Sequence, residues 1–419
     1  MLLAAIALAA MPDWVPARWF SKDPSTLKLV ESTAVNCLLV EPAQWSKPFA
    51  DAAAERGIVT LRLEGDSAID ASGKPVITFT NRSAMQFDAP IAASAYGVWP
   101  GIRAEASKAH AAASGAPWID TNTGFLRYAR VSSRGAIWIA NRAPADQAIP
   151  IARYLAAIGD AAMTGARWVL DFDRDFARRL TARDPAALKD WAQILQCVKF
   201  YEDHKEWRGY SPRSTLALVE GPASGALLSG GILDMIATKH TPVRPVPTGH
   251  LEAPSLLRAT MTVNADPASL DDRRKEVLKA FTRSGGTLFT GPPGWKFPSL
   301  RPDQIALDTA DLETLDEIWK ELNALTGRKN LGARLFNVSS MLSNLLESPD
   351  GKQVILHLVN YSDFPIENIT AHVLGQFRKA TLLQPGAPPK PLELYKVDDD
   401  ATGVDILSVG PLATIVLEP

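Results

Sequence analysis

The chain has 419 residues, 46% hydrophobic and 21% charged, with a formal net charge of −2. That length exceeds one ordinary core and fits two or three domains, and the composition excludes a disordered or fibrous chain. The near-neutral charge gives neither a basic field for nucleic acid nor a strong acidic one. Eleven Trp residues are many for this length and lean towards carbohydrate, whose rings stack on aromatic faces.

The start, MLLAAIALAAMPDW, is an apolar run with an A-x-A pattern at Ala7-Leu8-Ala9. Residues 1–10 resemble the latter part of a secretory signal peptide, so the expected location is secreted or periplasmic. A buried N-terminal helix is the competing reading. Elsewhere no stretch approaches the ~20 apolar residues of a membrane span.

From residue 33 apolar runs alternate with amphipathic stretches, the sign of βα units and a parallel sheet. Strands are expected at 35–40, 58–63, 75–79, 95–99, 117–120, 136–140 and 167–172, and helices at 45–56, 104–114 and 150–164. Gly57 stands where it would stop the first helix. Between Glu64 and Lys74 there is no room for a helix and its loops, so a barrel short of one of the eight βα units of a complete one is the expectation. An open doubly wound sheet is the alternative. Polar residues recurring at the strand ends favour a short or incomplete (β/α)8-type barrel over 25–208.

A long helix over 185–207 follows, with Asp184 as N-cap and Pro185 at its first position. Then come a strand at 214–220, a helix at 226–239, a strand at 259–264, a helix at 270–284 and a strand at 287–290. This is a separate, Rossmann-like α/β domain over 209–330. From about Phe336 the period changes to two, over runs at 353–360, 369–373, 380–383, 404–407 and 414–417. That pattern predicts a C-terminal antiparallel β-sandwich over 335–419.

The order barrel, α/β domain, β-domain resembles the family-42 β-galactosidases and related bacterial glycoside hydrolases. The carrying text is STLALVE, KEVLKAFTRSGGTLFTGPP and QVILHLVNYSDFPIENITAHV, roughly the last half of the chain. The resemblance implies an amidotransferase-like middle domain, a surface for homo-oligomerisation and a carbohydrate ligand. That family ends its fourth strand on Asn-Glu and its seventh on Glu. Here the corresponding runs end Trp99-Pro100-Gly101 and Asp171-Phe172-Asp173. No Cys follows Ser211, so the middle domain lacks an amidotransferase nucleophile.

Glycoside cleavage needs two carboxyl groups flanking the scissile bond. The strand-end acids Glu64 and Asp120 are the first pair expected, with Glu41 and Asp171 next. Trp99, Arg103, Asn122, Asn141 and Arg142 are the expected sugar-binding rim. The competing reading makes the acids helix caps or partners of Arg82, Arg103 and Arg142, and Trp99 and Trp118 core. His204 reads as a helix-surface or interdomain residue and His357 as a packed one, Cys37 and Cys197 as small core residues or a disulfide, and Asp398 to Asp400 as a solvated turn or calcium ligands. No cofactor or zinc site is expected. The functional expectation is an exported glycoside-hydrolase-like protein; the alternative is a non-catalytic carbohydrate-binding or scaffold protein with a degenerate barrel. A lyase or esterase is a third reading, against which no GxSxG elbow occurs.

Overall fold

The computed structural model describes residues 13–100, 121–144, 147–221, 241–265, 267–290, 320, 324–325, 332–338 and 341–419, and the backbone alone of 102–105 and 108–111. The leader over 1–10 and the expected elements at 117–120 and 226–239 lie outside the described residues.

The first part is an eight-stranded barrel-like sheet. Its strands are β1 (Pro16–Trp19), β2 (Cys37–Val40), β3 (Val59–Glu64), β4 (Ser67–Ile69), β5 (Pro75–Thr80), β6 (Ile91–Ser94), β9 (Ala136–Ile139) and β10 (Arg167–Trp168). β7 (Ile102–Glu105) and β8 (Lys108–Ala111) form a separate antiparallel hairpin. The two ends of the sheet meet where Arg18 N donates to Leu170 O at 2.7 Å, beside the parallel bridge Ala17–Leu170. All pairings in the sheet are parallel except those of β4, which runs antiparallel to both β3 and β5. The connection too short for a helix therefore holds a reversed strand. Gly65, at φ +57, makes the turn into it.

Period-two alternation divides the barrel. Cys37, Leu39, Leu61, Leu63, Phe79, Ala93, Trp138, Ala140 and Val169 form a core cluster with no helical member, on the barrel axis. The alternate residues Leu38, Val40, Ala92, Ile137, Ile139 and Leu170 pack outward with Phe49, Phe125, Tyr154 and Ile194. Those partners lie on α1 (Lys47–Ala54), α2 (Thr123–Ser132), α3 (Ile151–Ala162) and α5 (Pro185–Asp203), with α4 (Arg174–Thr181) preceding the last. Each fully buried aliphatic side chain contributes about 1.5–3 kcal/mol, so these two clusters outweigh any surface ion pair. Local signals set the helices. Asp184 Oδ1 accepts from Ala187 N at 2.8 Å, and Gly57, at φ +70, follows α1.

Three expectations are corrected. A strand at 16–19 precedes the expected first one, the strand expected at 95–99 lies at Ile91–Ser94, and the helix expected at 104–114 is the β7–β8 hairpin. The Ala-rich text there has helical propensity, but propensity is a weak prior against pairing.

The α/β domain is a four-stranded parallel sheet in the order β13-β12-β14-β15. Its strands are β12 (Leu216–Glu220), β13 (Arg244–Pro247), β14 (Met261–Asn264) and β15 (Thr287–Thr290), with α6 (Asp272–Arg283) before the last. A side chain at Gly286 would meet the Phe281 ring at 2.3 Å, which is why the helix ends on Gly-Gly.

The sandwich has a six-stranded sheet, β11-β17-β18-β24-β20-β21, and a four-stranded one, β16-β19-β23-β22. They comprise β11 (Ser211–Pro212), β16 (Ala333–Phe336), β17 (Met341–Glu347), β18 (Val354–Asn360), β19 (Ile366–Leu374), β20 (Lys379–Leu383), β21 (Lys390–Leu392), β22 (Leu394–Asp398), β23 (Ala401–Val409) and β24 (Leu412–Glu418). Leu342, Leu346, Ile355, Val359, Leu412 and Val416 join the barrel's outer core, so the larger sheet packs directly on the barrel helices. Buried polar links cross the same interface. Arg127 donates to Asn344 Oδ1 and to Ser343 O, both at 2.7 Å, and Asn344 donates to Met163 O at 2.7 Å.

Candidate active site

The C-terminal ends of parallel barrel strands face one way, and alternation decides which side chains turn inward there. Leu39, Ala140 and Val169 are inward, so two residues further on Glu41, Arg142 and Asp171 also face the axis. On β1, Ala17 and Trp19 pack outward, which turns Arg18 inward. Four charged side chains thus meet at the mouth: two carboxylates and two guanidinium groups.

Glu41 Oε1 accepts from Arg18 Nη1 at 3.4 Å and also pairs with Arg142. Asp171 accepts from Ala143 N at 3.2 Å and from Phe172 N at 3.0 Å. The cluster is graded in depth. Asp171 is 8% exposed, the side chains of Arg18, Glu41 and Arg142 11%, 35% and 58%. Burial raises the Asp171 pKa, against the charges of Arg18 and Arg142 and the two backbone N–H groups. Burial also lowers the pKa of Arg18, aided by Arg142 and opposed by Asp171 and Glu41. The Arg18 guanidinium lies 5.8 Å from the Phe79 ring centroid, a cation–π contact inside the barrel.

The other expected site residues fall as follows. Glu64 is not brought into this group. Leu61 and Leu63 face the axis, so Glu64 faces out and pairs with Arg62 at 2.6 Å. Arg62 in turn lies over the outer Trp45 ring at 5.7 Å. Asp120 and Trp118 lie outside the described residues, as does the side chain of Arg103. Asn141 is half-buried at the rim, next to Arg142.

Trp99 is a core residue, 3% exposed, with its ring centroid 5.0 Å from Trp168 and 5.2 Å from Tyr154. Its indole N–H donates to Arg142 O at 3.1 Å, so it props the loop that carries the arginine. Asn122 is fully buried and structural. Its amide donates to Val98 O at 2.9 Å and Asp160 Oδ2 at 2.8 Å, and its oxygen accepts from Arg82 at 2.9 Å. These contacts use the amide in full, leaving nothing for a sugar.

Arg18 went unnoticed in the sequence because it sits on the four-residue strand PARW, next to the apolar leader-like run. Asp173, two residues beyond Asp171, caps α4 by accepting from Phe176 N at 2.9 Å, and Tyr154 Oη also donates to it at 3.0 Å. Both cysteines are buried and free, and burial holds their thiols well above the usual range. His357 is buried, donates to or accepts from Thr414 Oγ1 at 2.8 Å, and is pushed down to about 3 by burial.

The barrel with a β-sandwich packed on its helices is a fold shared with solved glycoside-hydrolase structures. The same fold is found in α-L-fucosidase isoenzyme 2 from Paenibacillus thiaminolyticus, with a TM-score of 0.56 at 9% identity over 94% of this chain and 79% of that one. Rhamnosidase from Novosphingobium sp. PP1Y gives 0.50 at 15% identity, over 88% of this chain. The chain spans 38% of that rhamnosidase. No family model matches the sequence, and neither does any curated protein sequence.

Proposed function

We propose that the protein binds a saccharide at the barrel mouth and cleaves a glycosidic bond there through Asp171 and Glu41. The observation that carries this is the contrast between the two carboxyls. Asp171 is buried with a raised pKa, whereas Glu41 is nearer solvent and ion-paired to Arg18 and Arg142. Environments that differ in this way divide acid from base. Asp171 would give its proton to the glycosidic oxygen as the bond to the anomeric carbon breaks. Glu41 would attack that carbon or take a proton from the attacking water. Arg142, mostly exposed, would contact substrate hydroxyls once displaced from Glu41.

The second reading is a carbohydrate-binding or scaffold protein without catalysis. Two observations favour it: a reversed strand replaces a βα unit, and two arginines already hold Glu41. Hydrolysis of a panel of aryl glycosides and polysaccharides, run beside binding to the same sugars, separates the two. Turnover lost in Glu41→Gln and in Asp171→Asn supports the enzyme, and binding without turnover supports the scaffold.

The remaining parts of the proposal rest on the sequence. They are export through the leader at 1–10 to a secreted or periplasmic location, and domain limits of 25–208, 209–330 and 335–419, with β1 now extending the barrel forward. The family-42-type domain order and subunit contacts through an amidotransferase-like middle domain belong with them.

A further inference from the structure

A cavity of about 760 Å³ lies far from the barrel mouth in sequence, where the α/β sheet meets the sandwich. Among the described residues its charged lining is Arg213, Arg244, Arg258 and Glu347, three cations against one carboxylate. Glu347, at the end of β17, accepts from Arg213 Nη1 at 2.7 Å and Arg258 Nη1 at 3.1 Å, so one anion already serves two of the arginines. Arg244, at the start of β13, has no carboxylate to itself among the described lining residues. Its Nη2 donates to Leu257 O at 2.9 Å, and its Nε is buried with no hydrogen-bond partner. A buried N–H of a charged group is expensive to leave unmade. Burial and the like charge of Arg258 both lower the Arg244 pKa.

Arg258 sits at φ +68, a left-handed conformation that costs a non-glycine residue about 1 kcal/mol. Its guanidinium donates to Glu347 at the cavity edge, and the side chain is 81% exposed. Pro245, Val246, Pro247 and Leu374 supply apolar lining beside the charges. Three guanidinium groups that share one carboxylate beside apolar side chains form the arrangement that holds carboxylate, sulfate or phosphate oxygens on a small organic ligand.

We propose that this cavity is a second ligand site, specific for a small molecule bearing an oxyanion, with Arg244 as its main contact. The site does not depend on the barrel's chemistry. A sugar acid, a sulfated sugar and a phosphorylated metabolite share the chemistry, so the probes are glucuronate, glucose 6-sulfate and glucose 6-phosphate, with glucose as the uncharged control.

Isothermal titration of the full chain tests it. The expected result is saturable binding of at least one charged probe, weakened by added salt, with glucose silent. The probe that binds identifies the source of the oxyanion. Arg244→Gln is expected to weaken that binding about tenfold or more, with an unchanged circular dichroism spectrum, while Arg142→Gln at the barrel mouth leaves it intact. If no charged probe binds with a Kd below about 10 mM, the proposal is overturned. It is equally overturned if Arg244→Gln folds normally and binds as before, or if Arg142→Gln removes the binding. Should Arg244→Gln fail to fold, Arg258→Gln, whose exposed side chain tolerates replacement, reads the same binding.

Discussion

Tyr361 Oη in the sandwich donates to Asp160 Oδ1 in α3 at 2.5 Å, across 201 residues of chain. The other oxygen of Asp160 accepts from the backbone and side-chain amides of Asn122 at 2.7 and 2.8 Å. One fully buried carboxylate therefore joins the sandwich, α3 and the start of α2. Burial nevertheless lifts its pKa to about 6, with Tyr361, Asn122 and Arg82 opposing. A carboxyl raised on folding stabilises the fold fully below its unfolded value, near 3.8, and loses that contribution as pH rises through about 6. The predicted contribution is at most about 3 kcal/mol. Thermal melts of the protein and of Asp160→Asn between pH 4 and 7 check it. The difference between the two should change across this window and level off above it, and a constant offset would show that Asp160 does not titrate there.

The same interface is fitted closely at Gly159 in α3. A Cβ added there would meet Leu412 Cδ2 of β24 at 2.0 Å, and Leu412 is itself only 3% exposed, with little room to turn. Gly159→Ala is expected to destabilise the protein by about 1–3 kcal/mol through overpacking, despite the better helix propensity of Ala. Leu412→Ala should make the Gly159→Ala change cheaper than it is alone. Urea denaturation of the four proteins in that cycle measures the coupling, and strict additivity would show that the two residues do not meet.

Trp99 distinguishes a packing role from a sugar-stacking one. Its burial and its edge contacts with Trp168 and Tyr154 predict a loss of about 3–5 kcal/mol in Trp99→Ala. Trp99→Phe keeps most of the packing but loses the donor to Arg142 O. That variant should stay folded while saccharide affinity drops modestly, because the loop carrying Arg142 loosens. A full loss of stability with the conservative change would move the role of Trp99 entirely into the core.

Arg142 sets a pH dependence that can be read in the wild type and one variant. Its charge helps hold the Asp171 pKa down against burial, so removing it raises that pKa further. For Asp171 as the proton donor, activity falls as pH rises through its pKa. In Arg142→Gln this alkaline limb should move to higher pH. The side chain is 58% exposed, so the fold should be unaffected. A limb that moves to lower pH, or not at all, assigns the titration to another group.

Much of the fold was legible because local signals agreed with it. Asp184 and Pro185 opened α5, Gly57 followed α1, and the switch to period two marked the sandwich strands. The short span between Glu64 and Lys74 correctly excluded a helix, but no propensity in Ser67–Ile69 announced a three-residue strand running backwards. The site was legible only in part. Glu41, Asp171 and Arg142 end inward-facing strands, whereas Glu64 ends a strand one residue out of phase. Which phase points inward depends on the closed barrel, and hydrophobic residues lie on both faces of a parallel strand. Alternation in LRLE and CLLV therefore gave no way to choose.

The central claim is that Glu41 and Asp171 act together at the barrel mouth. Its most direct test is the turnover of a responsive aryl glycoside by the wild type, Glu41→Gln, Asp171→Asn and Glu64→Gln, each confirmed folded. Glu41→Gln and Asp171→Asn are each expected to lose at least about a hundredfold in kcat/KM, with Glu64→Gln close to wild type. Turnover that survives both Glu41→Gln and Asp171→Asn, or that is abolished by Glu64→Gln alone, would contradict it.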